Sequence, residues 1–143
     1  MKINKKVRYG LRAMTEIRDS HQIGILQKQI SENQSIPLNF LDSIITGLRN
    51  ANLITNYSGK SSGYILTRSA KEISVYDIYC AFEPELALVN CICESNECKH
   101  ANMCTTKDYW FELNNQIKQM MKNAYLDTLI VNENKGPTKI KAH

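Results

Sequence analysis

The chain has 143 residues, 43% hydrophobic and 22% charged, with 18 Lys and Arg against 14 Asp and Glu for a formal net charge of +4. That length suits one domain or a small domain with an appended helix, and it buries enough surface for a modest core without disulfide staples. No apolar run approaches the ~20 residues that span a bilayer, and the charged start Met1-Lys2-Ile3-Asn4-Lys5-Lys6 lacks the apolar stretch of a secretory signal. The expectation is a cytoplasmic protein without a membrane role, its thiols reduced.

The placement of the positive charge says more than its size. Lys2, Lys5, Lys6, Arg8 and Arg12 precede the first acid, Glu16, and Lys135, Lys139 and Lys141 make the last stretch basic. Such a run is a solvated face unless a DNA-binding element stands beside it. Val7, Leu11, Met14 and Ile17 recur at helical spacing and predict a first helix from about Asn4 to Arg18. Ser20 to Gly24 break it. A short helix is expected over about Ile25 to Glu32, with Leu26 and Ile30 facing inward, followed by a turn at Asn33 to Ile36. Pro37 sits where the next helix would begin, since proline lacks an N–H that would be unpaired there anyway.

Leu38, Leu41, Ile45 and Leu48 form the stripe of that third helix, and Asn39, Phe40, Asp42, Ser43 and Thr46 lie off it. A short helix, a turn and a longer helix with polar off-stripe residues describe a helix-turn-helix, whose second helix enters the major groove. Leu53 to Tyr57 and Gly63 to Thr67 read as strands joined by a glycine-bounded loop, a hairpin. Together these elements predict a mainly α fold with a small β-hairpin wing, a winged helix-turn-helix over residues 1–82.

Residues 73–82 read as a further short helix that Glu83-Pro84-Glu85 stops. Cys80 within it is expected to be a buried apolar residue. Residues 83–105 are an aperiodic loop carrying Cys91-x-Cys93-x4-Cys98-x5-Cys104, four of the five cysteines. Clustered thiolates in a reduced compartment favour zinc, copper(I) or iron–sulfur centres, and a thiol–disulfide switch stays open. His100 lies inside this loop, whereas His21 and His143 fall in a turn and a tail without a role.

Thr105-Thr106-Lys107-Asp108 predicts a threonine-capped helix start. Trp110, Leu113, Ile117, Met121, Ala124 and Thr128 then hold one face for about five turns, and residues 106–131 are expected to form a dimerisation helix. The stretch 132–143 reads as a disordered tail. A long one-sided helix needs a partner, so a homodimer follows as an expectation. No Gly-rich phosphate loop, G-x-S-x-G elbow or His-Glu-x-x-His occurs, and the chain reads as a non-enzyme.

In this order the parts resemble the IscR, NsrR and CymR family of winged-helix transcriptional regulators. The matching stretches are Arg8-Tyr9-Gly10-Leu11-Arg12-Ala13-Met14, Pro37-Leu38-Asn39-Phe40-Leu41, Leu48-Arg49-Asn50-Ala51-Asn52-Leu53-Ile54, the wing Gly59-Lys60-Ser61-Ser62-Gly63-Tyr64-Ile65-Leu66, and the cysteine loop with Trp110 beyond it. The resemblance implies a homodimeric regulator of double-stranded DNA, expected to be a repressor. Its DNA affinity would be controlled by an iron–sulfur cluster of 2Fe–2S or 4Fe–4S type that senses redox state, nitric oxide or iron status. Cys91, Cys98 and Cys104 would hold the cluster, with Cys93 replacing Cys91 or serving as the fourth ligand. Lys107 and Arg8 stand where relatives place a histidine or a carboxylate ligand, which leaves Cys93, His100, Glu16 or a small molecule for that role. Ser58 stands where IscR-like wings carry an arginine.

The same resemblance admits a clusterless CymR-like regulator controlled by a protein partner, and structural zinc or a thiol–disulfide switch remains a further alternative. On DNA, Asn39, Phe40, Asp42 and Ser43 would face bases, with Phe40 against a thymine methyl or packed under the wing. Lys5, Lys6, Arg8, Arg49 and Lys60 would meet phosphates.

Overall fold

The computed structural model describes residues 2–21, 23–59, 62–89 and 104–129. In chain order these give α1 (Lys5–Asp19), α2 (Gln27–Gln34), α3 (Leu38–Asn50), β1 (Ile54–Asn56), β2 (Tyr64–Leu66), a 3-10 turn (Ala70–Glu72), α4 (Val75–Cys80), α5 (Lys107–Asn123) and a second 3-10 turn (Leu126–Thr128). The fold is mostly helical with one two-stranded hairpin, as the hydrophobic periods predict. No helix among the described residues is long and apolar enough to cross a membrane.

Helix α1 starts at Asn4, whose side-chain carbonyl accepts from the Lys6 N–H at 2.8 Å, satisfying one of the free donors of the first turn. Of its buried residues, Ala13, Met14 and Ile17 share the main core with Leu41, Ile44, Ile45 and Leu48 of α3, Gly10 faces the Phe82 ring, and Val7 joins Tyr79 and Leu86 in a separate small core. Each fully buried aliphatic side chain contributes ~1.5–3 kcal/mol relative to exposure. In α2 only Ile30 is buried. Leu26 is exposed, against expectation, because the chain is still extended there and extended residues alternate: Ile25 takes the inward position and forms a bridge to Tyr64. Pro37 caps α3 rather than opening it, and Leu38, the first helical residue, is 47% exposed instead of joining the stripe. Ile44 completes the buried face in its place.

The hairpin pairs Ile54 with Leu66, Thr55 with Ile65 and Asn56 with Tyr64. Its loop end is fastened to the α1–α2 connection by Ile25 N–H to Tyr64 O at 3.1 Å and Tyr64 N–H to Ile25 O at 2.8 Å. Gly24 and Gly63 permit that approach; a Cβ on Gly63 would stand 2.5 Å from the Ile25 nitrogen. Beyond the wing, Ser74 and Asp77 form a reciprocal cap on α4.

The last helix departs from the expected run to residue 131. It closes at Asn123, and the chain turns back onto the domain. Val75 N–H donates to Ala124 O and Leu126 N–H to Ile73 O, both at 2.8 Å, and Leu126 is fully buried in the main core. Arg18 donates through Nη1 to the carbonyls of Leu126 at 2.6 Å and Leu129 at 2.5 Å. Thr128 therefore lies in the returning turn and not on the helix stripe. Residues 130–131 of the expected helix and the whole tail 132–143 lie outside the described residues. On α5 itself, Ile117 and Met121 pack against Val7, Tyr79 and Leu86 in a second small core, so part of the predicted stripe is covered by the chain's own domain.

Candidate nucleic-acid interface and cysteine loop

The outer side of α3 carries Asn39, Asp42 and Thr46, all exposed, with Ser43 half-buried among them. These residues, Asn50 and Lys6 from α1 border one shallow recess of about 600 Å³. The structure thus brings one expected phosphate contact, Lys6, and three of the four expected base-facing residues, Asn39, Asp42 and Ser43, to one surface. Ser43 turns its hydroxyl back to the Phe40 carbonyl at 2.7 Å, and Thr46 does the same to Asp42 O at 2.8 Å. Asp42 is held by Gln27, whose side-chain amide donates to its Oδ1.

Phe40 is half-buried. Its ring meets Tyr9 edge-on, with centroids 5.4 Å apart, and Lys5 Nζ lies 5.2 Å from its centroid. Arg12 flanks the other ring, its guanidinium carbon 5.0 Å from the Tyr9 centroid, and it donates through Nε to Gln34 Oε1 at 3.0 Å. Phe40 therefore builds a basic-aromatic cluster between α1 and α3, with its packing partner on α1 where packing under the wing was the expected alternative to a base contact. Lys5 belongs to that cluster. Arg8 and Arg49 are exposed, the latter in the last turn of α3. In the wing, Ser58 N–H donates to Ser62 Oγ at 2.8 Å, closing the loop's base; Lys60 lies outside the described residues.

Of the four loop cysteines, Cys91, Cys93 and Cys98 lie outside the described residues, as does His100, and Cys104 lies within them. Cys104 is exposed just before α5, its Sγ 3.5 Å from the Thr106 hydroxyl. That hydroxyl, followed by the backbone N–H groups of Thr106 and Lys107 and the Lys107 charge, holds the Cys104 thiol below its ordinary range. Thr106 precedes the helix as expected but makes no side-chain cap, because its hydroxyl meets the sulfur instead. Among the described residues no three His, Cys, Asp or Glu side chains converge on one metal position. Glu16, weighed as a fourth ligand, accepts from Asn33 and Gln34 in the helix-turn-helix, at 3.1 and 2.5 Å. Those bonds give it a structural role there.

The other end of the loop is fixed by a residue the sequence did not single out. Asn114 is 3% exposed; its Oδ1 accepts from Leu88 N–H at 2.9 Å and its Nδ2 donates to Leu86 O at 3.0 Å. Both polar functions of this buried amide are satisfied, and they tie residues 86–88 to α5. Cys80 is exposed rather than buried: α4 turns Ile78 and Tyr79 inward, which leaves the next position on the solvent side.

Residues 3–132 match the Rrf2 family, described as "Iron-dependent Transcriptional regulator". The chain belongs to the Rrf2 family. The transcriptional regulator IscR of Pectobacterium carotovorum is 30% identical over 135 residues, covering 93% of this chain and 81% of that one. Among solved structures, CymR of B. subtilis, titled the global cysteine regulator, superposes with a TM-score of 0.71 at 25% identity, covering 89% of this chain and 94% of that one. IscR of T. potens gives a TM-score of 0.69 at 26% identity over 89% and 84% of the two chains. This Rrf2 protein is accordingly a DNA-binding transcriptional regulator with a winged helix-turn-helix, and its relatives are named as regulators and not as enzymes.

The roles of Gln27, Asn50 and Arg12 on this surface carry little signal in the sequence. Gln27 and Asn50 sit at helix ends, where a polar residue is unremarked, and Arg12 was legible only as part of the basic N-terminus. Nothing in local periodicity could have paired Gln27 with a side chain fifteen positions away.

Proposed function

We propose that this chain is a homodimeric repressor whose affinity for a double-stranded operator is controlled by an iron–sulfur cluster on its cysteine loop. Asn39, Asp42 and Ser43 read base edges from α3, and Lys5, Lys6, Arg8, Arg49 and Lys60 meet phosphates, which makes binding salt-dependent. Phe40 acts through its packing on Tyr9. Cys91, Cys98 and Cys104 hold the cluster, with Cys93 as fourth or substituting ligand; the setting is cytoplasmic.

The observation that carries this reading is the placement of Cys104. It is an exposed thiol 3.5 Å from the Thr106 hydroxyl, at the start of the helix that also anchors residues 86–88 through Asn114. Thiolate is the form that binds soft metals, and the four loop sulfurs are a suitable donor set for iron–sulfur or zinc. A bound iron–sulfur cluster would supply a link sensitive to oxidation, nitric oxide and iron supply. The protein's part is mechanical. Asn114 and Thr106 fix the described ends of the loop on α5, α5 packs on α4 and α1, and α1 carries α3. Gain or loss of the group can therefore bias how α3 sits on DNA, provided the two arrangements bind it with different free energy.

The full chain purified without oxygen should be brown, with iron and sulfide in about equal amount. Cys98→Ala should bleach it and change affinity for an operator selected from random duplex DNA, with the dimer intact. Colourless protein containing zinc would make the metal structural, and unchanged affinity would leave regulation to something else. The likeness to CymR favours a second reading, a clusterless regulator whose DNA binding is set by a protein partner. Specific capture of one partner by colourless protein, with loss of operator binding, would support it.

A further inference from the structure

Gln27 opens α2, and its side chain crosses to the second turn of α3, where Nε2 donates to Oδ1 of Asp42. Asp42 is exposed and belongs to no ion pair among the described residues, so a neutral amide is what meets its charge. A carboxylate on a surface that approaches phosphates is repelled unless it finds a donor on a base edge, of which cytosine N4 is the fitting one. It also has several rotamers available, and an acceptor that must first be ordered loses affinity and discrimination. A hydrogen bond to one oxygen removes part of that freedom and leaves the second oxygen to accept. The neighbouring hydroxyls do not compete for it: Ser43 donates to Phe40 O and Thr46 to Asp42 O.

We propose that Gln27 is a specificity-determining positioning residue, which holds the Asp42 carboxylate in the orientation that accepts a hydrogen bond from a base in the operator. This rests on the reading that α3 enters the major groove with Asp42 toward the bases. The test uses the full-length protein and a randomised duplex pool, selected in parallel with wild type, Gln27→Ala, Asp42→Ala and the double variant. Both altered side chains lie at the surface, so circular dichroism should be unchanged for all four proteins.

Wild type should prefer one base pair in each half-site by on the order of tenfold, the discrimination of one good base contact. Asp42→Ala should erase that preference, Gln27→Ala should reduce it at the same base pair, and the double variant should match Asp42→Ala. The salt dependence of binding should not move, because no phosphate contact is lost. Preference retained in Gln27→Ala but lost in Asp42→Ala would overturn the positioning role while leaving Asp42 as a reader. A Gln27 effect that persists without Asp42 would make Gln27 a direct DNA contact and overturn the inference as well. Unchanged preference in Asp42→Ala would overturn the base-reading role on which it rests.

Discussion

Phe82 lies between two helices at the only kind of residue that lets it in. A Cβ on Gly10 of α1 would stand 2.5 Å from its Cε2, and one on Gly47 of α3 would stand 2.5 Å from its Cε1, on the opposite ring edge. The ring cannot retreat from one helix without pressing on the other. Gly47→Ala therefore gains the ~1 kcal/mol by which alanine is the better helix former, but meets an overpacking cost of roughly 1–3 kcal/mol. The expected outcome is a net loss on the order of 1 kcal/mol, larger for Gly47→Val, with partial recovery on adding Phe82→Leu. Denaturant titration of the four proteins checks it. At this scale the sequence was only partly legible. A glycine inside a helical pattern signals a close neighbour, but not that both glycines serve one ring. Leu26, Leu38 and Cys80 were misjudged because hydrophobic character and period assign a face, whereas exposure depends on which neighbour ends where. Asp42 and Asn39 were legible because a helix stripe, once set by Leu41, Ile45 and Leu48, fixes what points away from it.

Helix α5 holds the residues that lead into the cysteine loop, and Asn114 is the fastening. Asn114→Ala leaves the Leu88 N–H and the Leu86 carbonyl without their partner, at ~1–3 kcal/mol for each group deprived of a bond. Leu88 is half-buried and can recover some hydration, so the lower end is expected, together with faster hydrogen exchange at the Leu88 amide. A second fastening is the ion pair between Lys118 of α5 and Glu85. The Lys118 hydrogen bond and charge hold the Glu85 carboxyl below its usual 4.5, and Glu85 holds the Lys118 ammonium above its usual 10.5. A lowered acid contributes stability that is present above 4.5 and fades as pH falls through its folded value. A raised base contributes stability that is complete below 10.5 and fades as pH rises through its folded value. Glu85 is exposed and Lys118 partly covered, so solvent and salt still reach the pair and its effect on stability is small. Its signature is spectroscopic: Lys118→Met should return the Glu85 carboxyl resonance to an ordinary titration. The existence of α1, α3, the hairpin and α5 was legible from period and turn residues. The end of α5 was not, because Ala124 and Leu126 leave the helix to bond with Val75 and Ile73, a partnership some fifty positions distant in sequence.

The whole molecule leaves α5 with two unlike sides. Ile117 and Met121 close on the domain, while Met120, 77% exposed, and Tyr109, 63% exposed, share another side. An open groove of about 530 Å³ runs beside Leu113, Ile117 and Met120. Large apolar side chains at this exposure along one helix are costly to leave in water, and a second α5 related by a twofold axis would cover them. The same axis would place two copies of α3 for two half-sites, the arrangement in which a symmetric operator is read. Met120→Glu introduces like charges at such an interface without touching the domain core. We expect its sedimentation to shift from two copies to one while helical content and thermal unfolding of the winged domain persist. Operator affinity should then fall ~10²-fold or more, since tethering two reading heads contributes ~10²–10⁴ over one. A monomer that kept full affinity would mean that one recognition helix suffices. A dimer that survived Met120→Glu would mean that its axis lies elsewhere than on the open side of α5.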